Sequence, residues 1–65
     1  MSERDTKALR EILDKHSGST VLYAMCDIYK TKAALLRQEG RGDVAEGCEV
    51  NAENCSYAAR SMPWE

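Results

Sequence analysis

Apolar residues recur every three to four positions along three stretches of this chain, which is the spacing typical of α-helices. Glycines interrupt the pattern twice, and a proline follows its last apolar residues. The pattern therefore predicts three helices, at about residues 3–16, 20–39 and 44–61. The second is the longest, and no stretch alternates as a strand would.

Polar residues at the expected starts of these helices support the assignment. Ser2 followed by Asp5 is typical of a weak capping box, and Asp43 with Glu46 has the same spacing before helix 3. Helix 2 has three candidate N-caps around Gly18, namely Ser17, Ser19 and Thr20.

The connection at residues 40–42 is short, so helices 2 and 3 are predicted to form an antiparallel hairpin about 30 Å long. Residue numbers that face each other then sum to about 80. Large side chains of helix 2 would face small ones of helix 3, which lets the axes approach closely. The predicted pairs are Leu36 with Val44, Tyr29 with Asn51, Met25 with Cys55, and Leu22 with Ala58.

The apolar arc of helix 2 covers roughly 200°, which is wider than an ordinary amphipathic stripe. Helix 3 carries a second apolar strip, because Val50 and Tyr57 lie seven residues apart on the side opposite its main apolar face. We therefore expect a single all-α domain over residues 1–65, with a short N-terminal helix plus a hairpin, completed by homo-oligomerisation.

Composition narrows the possible functions. The 65 residues include no Phe and one Trp, so the core must be thin. A chain this short buries a smaller fraction of its surface than a larger domain does, which makes a large catalytic pocket improbable. We find no nucleophile with an orienting base and expect no enzyme and no cofactor.

The three cysteines, Cys26, Cys48 and Cys55, favour an apolar filling role in a reducing cytoplasm. Cys48 and Cys55 lie about 10 Å apart along a helix, too far to bridge each other, and a zinc site lacks donors. No apolar run approaches the roughly 20 residues that span a bilayer, and no secretory signal follows Met1. We therefore expect no membrane association.

The best candidate site lies at the start of helix 2, where free N–H groups and the helix dipole favour an anion. In the predicted register Arg60 comes opposite Thr20, and aromatic rings of helix 3 and the C-terminus lie at the same end. The alternative is ordinary capping around Gly18, without a ligand. The candidate ligand-binding residues are Lys15, Ser19, Thr20, Tyr23, Lys32, Tyr57, Arg60 and Trp64.

Two polar residues interrupt the apolar faces. Lys32 lies near the middle of the helix 2 arc. It either extends toward the rim or pairs with Glu49 or Glu53 of helix 3, or it faces an anionic ligand. Asn51 lies between Cys48 and Cys55 in the predicted hairpin contact, where a buried Asn fixes register or contacts a ligand.

Charge argues against nucleic acid. Nine Lys and Arg stand against eleven Asp and Glu, a net charge of −2. Lys30, Lys32, Arg37 and Arg41 give helix 2 a local basic bias, but acidic residues surround them. A phosphate-binding footprint is more basic than this.

The segment V-L-Y-A-M-C-D-I-Y-K-T-K-A at residues 21–33, in a small helical hairpin, resembles phage-encoded anti-defence proteins of the cyclic-nucleotide sponge kind. The resemblance covers residues 19–62 and lies in size and architecture. It implies an oligomer that holds signalling nucleotides at subunit junctions without turning them over.

Two function classes follow. The first is a non-catalytic, homo-oligomeric protein that sequesters a phosphorylated or nucleotide-like signal molecule. The alternative is a small inhibitor or adaptor that binds a host protein through an exposed apolar helix face that includes Val50, Tyr57 and Trp64.

Overall fold

The computed structural model describes residues 1–63, and within that range every regular element is an α-helix. The helices are α1 (Glu3–Lys15), α2 (Gly18–Gln38) and α3 (Gly42–Ser61). The predicted all-α class and number of helices are confirmed. Trp64, one of the predicted ligand-binding residues, lies outside the described residues.

Side-chain caps fix the starts of the first two helices. Ser2 accepts a hydrogen bond from the backbone N–H of Asp5, and Ser17 accepts one from Thr20, both at 3.2 Å. Ser17 was one of three predicted caps, and because it is the residue used, α2 begins at Gly18 rather than near residue 20. The cap predicted at Asp43 is wrong: α3 begins after Arg41, and no side chain caps it.

The turn between α2 and α3 has the geometry of a glycine C-cap. Gly40 has a φ of 76°, in the left-handed region that favours glycine. The N–H of Arg41 donates to the carbonyl of Leu36 at 2.8 Å, and the N–H of Gly40 donates to that of Arg37 at 3.1 Å. This pair of bonds is the Schellman motif, and it ends α2 sharply enough for α3 to begin at Gly42.

Helices α2 and α3 pack along one another through a row of ten side chains, seven of which are Ala or Cys. The row follows the alternating three- and four-residue spacing of a coiled-coil seam. We call it the inner seam, and its members are all buried or half-buried: Leu22, Cys26, Tyr29, Ala33 and Leu36 from α2, with Ala45, Cys48, Ala52, Cys55 and Ala59 from α3.

The inner seam corrects the predicted phase of α3. Asn51, Val44 and Ala58 are exposed, whereas the adjacent Ala45, Ala52 and Ala59 are buried. A one-residue change rotates a helix face by about 100°, so the predicted pairs that used those three positions are wrong. Asn51 is exposed, so the prediction that it is buried in this contact and fixes the register of the two helices is wrong. Its alternative role, contact with a ligand, stays a prediction.

A second row of large residues lies next to the inner seam on α2. We call it the outer seam, with members Val21, Met25, Ile28, Lys32 and Leu35. Each member directly precedes an inner-seam residue of α2 in the sequence, so this face is turned about 100° from the inner seam. Met25, which was predicted to face Cys55 of α3, instead lines the cleft between α1 and α2. Val21 is half-buried and the other four members are exposed.

The molecule is one helix layer thick. Its principal extents are 39 × 28 × 14 Å, and 14 Å is little more than the diameter of one helix with its side chains. Helix α1 contacts α2 at a few positions and, within residues 1–63, does not approach α3. In that range no buried side chain is larger than cysteine.

Candidate functional site

Two open depressions flank α2, one on each side. The first is a groove of about 480 Å³ between α2 and α3, and the second is a cleft of about 570 Å³ between α1 and α2. They differ in chemistry: charged residues line the groove, and the cleft is almost entirely apolar. Each falls within the 300–1,000 Å³ range of small-molecule sites.

Polar residues of the groove come from positions beside the inner seam. Cys26 and Lys30 of α2 face six residues of α3 that recur along one side of that helix. Those six are Glu49, Ala52, Glu53, Ser56, Tyr57 and Arg60. Four of the six directly follow an inner-seam residue of α3 in the sequence, namely Glu49, Glu53, Ser56 and Arg60. Packing along the inner seam therefore sets their positions.

Arg60 and Tyr57 form the most defined contact of the groove. The guanidinium carbon of Arg60 lies 4.9 Å from the centre of the Tyr57 ring, which is a cation–π geometry. One helical turn separates the two residues, so the helix itself holds the pair. The stacked guanidinium keeps its N–H groups available at the edge, where a phosphate or carboxylate binds.

The groove carries balanced charge. Lys30 and Arg60 are opposed by Glu49 and Glu53. Glu49 forms an ion pair with Arg37, whose side chain is about half exposed, as is that of Glu49. This pair replaces the predicted pairing of Lys32 with Glu49. Lys32 itself is exposed and makes no ion pair with any residue in the range 1–63.

Hydroxyl groups cluster at the N-terminus of α2. Ser17 Oγ shares hydrogen bonds with Thr20 Oγ1 at 2.8 Å and with Ser19 Oγ at 3.2 Å. The three hydroxyls therefore bond to one another while Ser17 caps the helix. Lys15 is exposed at the end of α1, two residues before this cluster.

The structure distributes the predicted site over two faces of α2. Thr20 lines the apolar cleft, whereas Tyr57 and Arg60 line the groove. Tyr23 is exposed and lines neither depression, and Lys32 lies about 18 Å along α2 from Thr20. Of the predicted site residues that the structure describes, Tyr57 and Arg60 are in contact on α3, and Ser19 and Thr20 share hydrogen bonds with Ser17 at the start of α2.

Lys30 and Ser56 belong to the groove but were absent from the sequence prediction. Both follow a seam residue, since Lys30 comes after Tyr29 and Ser56 after Cys55. Residues beside a seam flank the contact between two helices. The spacing of the seam was the signal that could have found them.

The apolar cleft is lined by side chains of both helices that flank it. Leu9, Ile12 and His16 come from α1, while Thr20, Val21, Ala24, Met25 and Ile28 come from α2. Three of the five outer-seam residues, Val21, Met25 and Ile28, therefore form one wall. The second half of the outer seam, at Lys32 and Leu35, extends beyond this lining.

The described residues form neither a cluster suited to a metal ion nor a disulfide bond. Among residues 1–63, no cluster of three or more His, Cys, Asp or Glu side chains has a geometry that could hold a metal ion. The three cysteines are free thiols, with Cys26 buried and the other two half-buried.

No helix within the described part of the chain has the length and apolar character needed to cross a bilayer. Comparison with protein-family models, curated proteins and solved structures finds no match to this chain.

Proposed function

We propose that this chain is a non-catalytic binding protein that works as a homo-oligomer, in which α2 and α3 form an antiparallel hairpin and a second copy completes the core. One observation carries the proposal. Buried side chains within residues 1–63 are no larger than cysteine, while eleven large apolar residues in that range are exposed. Globular proteins bury residues of that kind preferentially, so this surface is typical of one that is covered in the working state.

Light scattering and native mass spectrometry of the purified chain test the proposal directly. We expect a mass of at least two chains at micromolar concentration, together with a melting temperature that rises with protein concentration. A single 7.3 kDa species at every concentration up to the millimolar range would refute the homo-oligomer.

The ligand proposed for this oligomer is a phosphorylated or nucleotide-like signal molecule, held in the groove between α2 and α3. Arg60 supports it, since a guanidinium stacked on Tyr57 presents its N–H edge to a phosphate. Lys30 adds a second cation to the same groove. Glu49 and Glu53 oppose a highly charged anion, so a ligand with one or two phosphates and an aromatic base fits better than a polyphosphate. Sequestering such a molecule is the role of an anti-defence sponge.

Thermal shift against a panel of mononucleotides and cyclic dinucleotides tests this ligand class. At 100 times its dissociation constant a ligand stabilises the folded state by about 2.7 kcal/mol, which raises the melting temperature of a domain of this size by roughly 10–20 °C. We expect Arg60→Gln to abolish the shift. The exposed Arg41 lines neither depression, and Arg41→Gln should keep the shift. Equal shifts in both variants, or no shift at all, would contradict the ligand proposal.

A second candidate is an inhibitor or adaptor that binds a host protein. The exposed Val50 and Tyr57 support it, with half or more of each side chain open to solvent on α3. Binding of a partner there requires those two residues to stay accessible in the working form. Protection of this α3 face in a closed homo-oligomer, measured by hydrogen exchange, would eliminate this candidate.

A further inference from the structure

We infer that the outer seam of α2, together with the apolar cleft beside it, is the face on which a second copy of this chain docks, with Lys32 setting the register. The inference rests on the proposed homo-oligomer and deepens it, because it names the face and the residues. The occupant is the α1–α2 face of another copy, so the interface pairs the same surface from both chains.

The surface area of the chain matches what one dimer interface buries. A compact monomer of 7.3 kDa exposes roughly 4,200 Å² by the size scaling of folded proteins. This chain exposes 5219 Å², an excess of about 1,000 Å². A standard protein interface removes about 800 Å² from each partner. One interface per chain would therefore bring the molecule to ordinary compactness.

The spacing of the outer seam favours a helix as the occupant. Its five residues continue over four turns with the alternation that lets side chains of one helix fit between those of another. Ile28 and Leu35 are 56% and 54% exposed, although the inner seam one residue later is covered. On α2 the inner and outer seams have five residues each, and α3 covers the inner one. The other has the form of a second helix-packing surface.

The position of α1 leaves this surface open to a copy. Leu9 and Ile12 reach the first half of the outer seam as the opposite wall of the cleft, but Ile12 is still 45% exposed there. The cleft between the two walls is almost wholly apolar, which excludes an ionic ligand as its occupant. A helix pair from a second copy offers apolar stripes of the same kind to both walls.

Charge permits this self-association. Each chain carries a net charge of −2 from a nearly balanced set of acids and bases, so repulsion between two copies is weak. Lys32 is the one charged member of the outer seam. A single lysine at such a position selects one register and oligomer state at some cost in affinity, because other registers bury its ammonium group against apolar residues.

Sedimentation equilibrium of four variants tests the inference. We expect Ile28→Glu and Leu35→Glu to raise the dissociation constant at least a hundredfold, because each places a carboxylate inside the seam. Lys32→Leu should lower it at least tenfold, or produce a larger oligomer. Val50→Glu is the matched control, an equally exposed apolar residue on α3, and it should leave the dissociation constant within threefold of the unmodified chain.

The outcomes separate the two proposals. A monomeric unmodified chain refutes the homo-oligomer and this inference together. If the unmodified chain associates and Val50→Glu dissociates it while the outer-seam variants do not, the homo-oligomer stands and this face is wrong. Should the glutamate variants fail to fold by circular dichroism, Lys32→Leu decides, because an unchanged dissociation constant in that variant overturns the inference.

Discussion

The inner and outer seams differ in the size of their residues and in what covers them. Seven of the ten inner-seam residues, counting both helices, are Ala or Cys, and five of the ten are buried. The outer seam has Met, Ile and Leu, and all three are exposed. In an ordinary small domain the large residues would be inside. Because no buried side chain within residues 1–63 is larger than cysteine, the contact between α2 and α3 brings the two helices close together but buries little side-chain volume.

Close approach makes the inner seam intolerant of larger side chains, and this is the largest effect we expect. Ala52 is 2% exposed at the centre of α3, so Ala52→Leu should destabilise the chain by about 1–3 kcal/mol through overpacking. Urea denaturation of the two variants at equal protein concentration measures it. Ala58→Leu is the control, an exposed alanine on the same helix, and should change stability by less than about 0.5 kcal/mol.

Equal stability of Ala52→Leu and Ala58→Leu would contradict the proposed difference between the inner seam and the exposed face of α3. It would mean that α3 moves away from α2 without cost, and that small residues on the inner seam carry no packing requirement. A larger loss of stability for Ala58→Leu than for Ala52→Leu would mean that α3 contacts α2 through the face that carries Ala58.

The start of α2 offers a smaller test, because both seams begin just after the Ser17 cap. Ser17→Ala removes the acceptor for the N–H of Thr20 and should cost about 1 kcal/mol of stability. The control is Ser61→Ala. Ser61, an exposed residue at the end of α3, donates from its hydroxyl to the carbonyl of Tyr57, and Ser61→Ala should change stability by less than about 0.5 kcal/mol.

A loss for Ser17→Ala that is no larger than the Ser61→Ala loss would count against the cap. The hydroxyl cluster at Ser17, Ser19 and Thr20 would then have no measurable structural role. That result would favour the predicted anion-binding role of this cluster over a capping role.

Sequence alone located the three helices because glycine, serine and proline mark their limits clearly. It did not fix the phase of α3, because Val44, Ala45, Ala58 and Ala59 form adjacent small apolar pairs. Hydropathy cannot choose between neighbours of similar character, and the choice depends on which one lets two backbones approach. Asn51 was misplaced because the register taken from those pairs put it in the contact in place of Ala52, which follows it by one position.

The candidate site was harder to predict than the helices. The pairing of Tyr57 with Arg60 follows from helical spacing within α3, so both residues could be identified from sequence. Lys30 is identified only once the inner seam is assigned, because until then it resembles any lysine on a solvated helix face. Thr20 was assigned to the same site as Arg60, but the cleft and the groove lie on different sides of α2, and a linear register does not distinguish them.

The three-residue turn at Gly40 also has a kinetic consequence. Helices α2 and α3 are neighbours in the chain, so their contacts close a short loop, and helical proteins with such local contacts fold within microseconds to milliseconds. Docking of a second copy is instead second order in protein and takes milliseconds to minutes. Refolding of this chain should therefore separate into a fast phase that is independent of concentration and a slower phase that accelerates as the protein is made more concentrated.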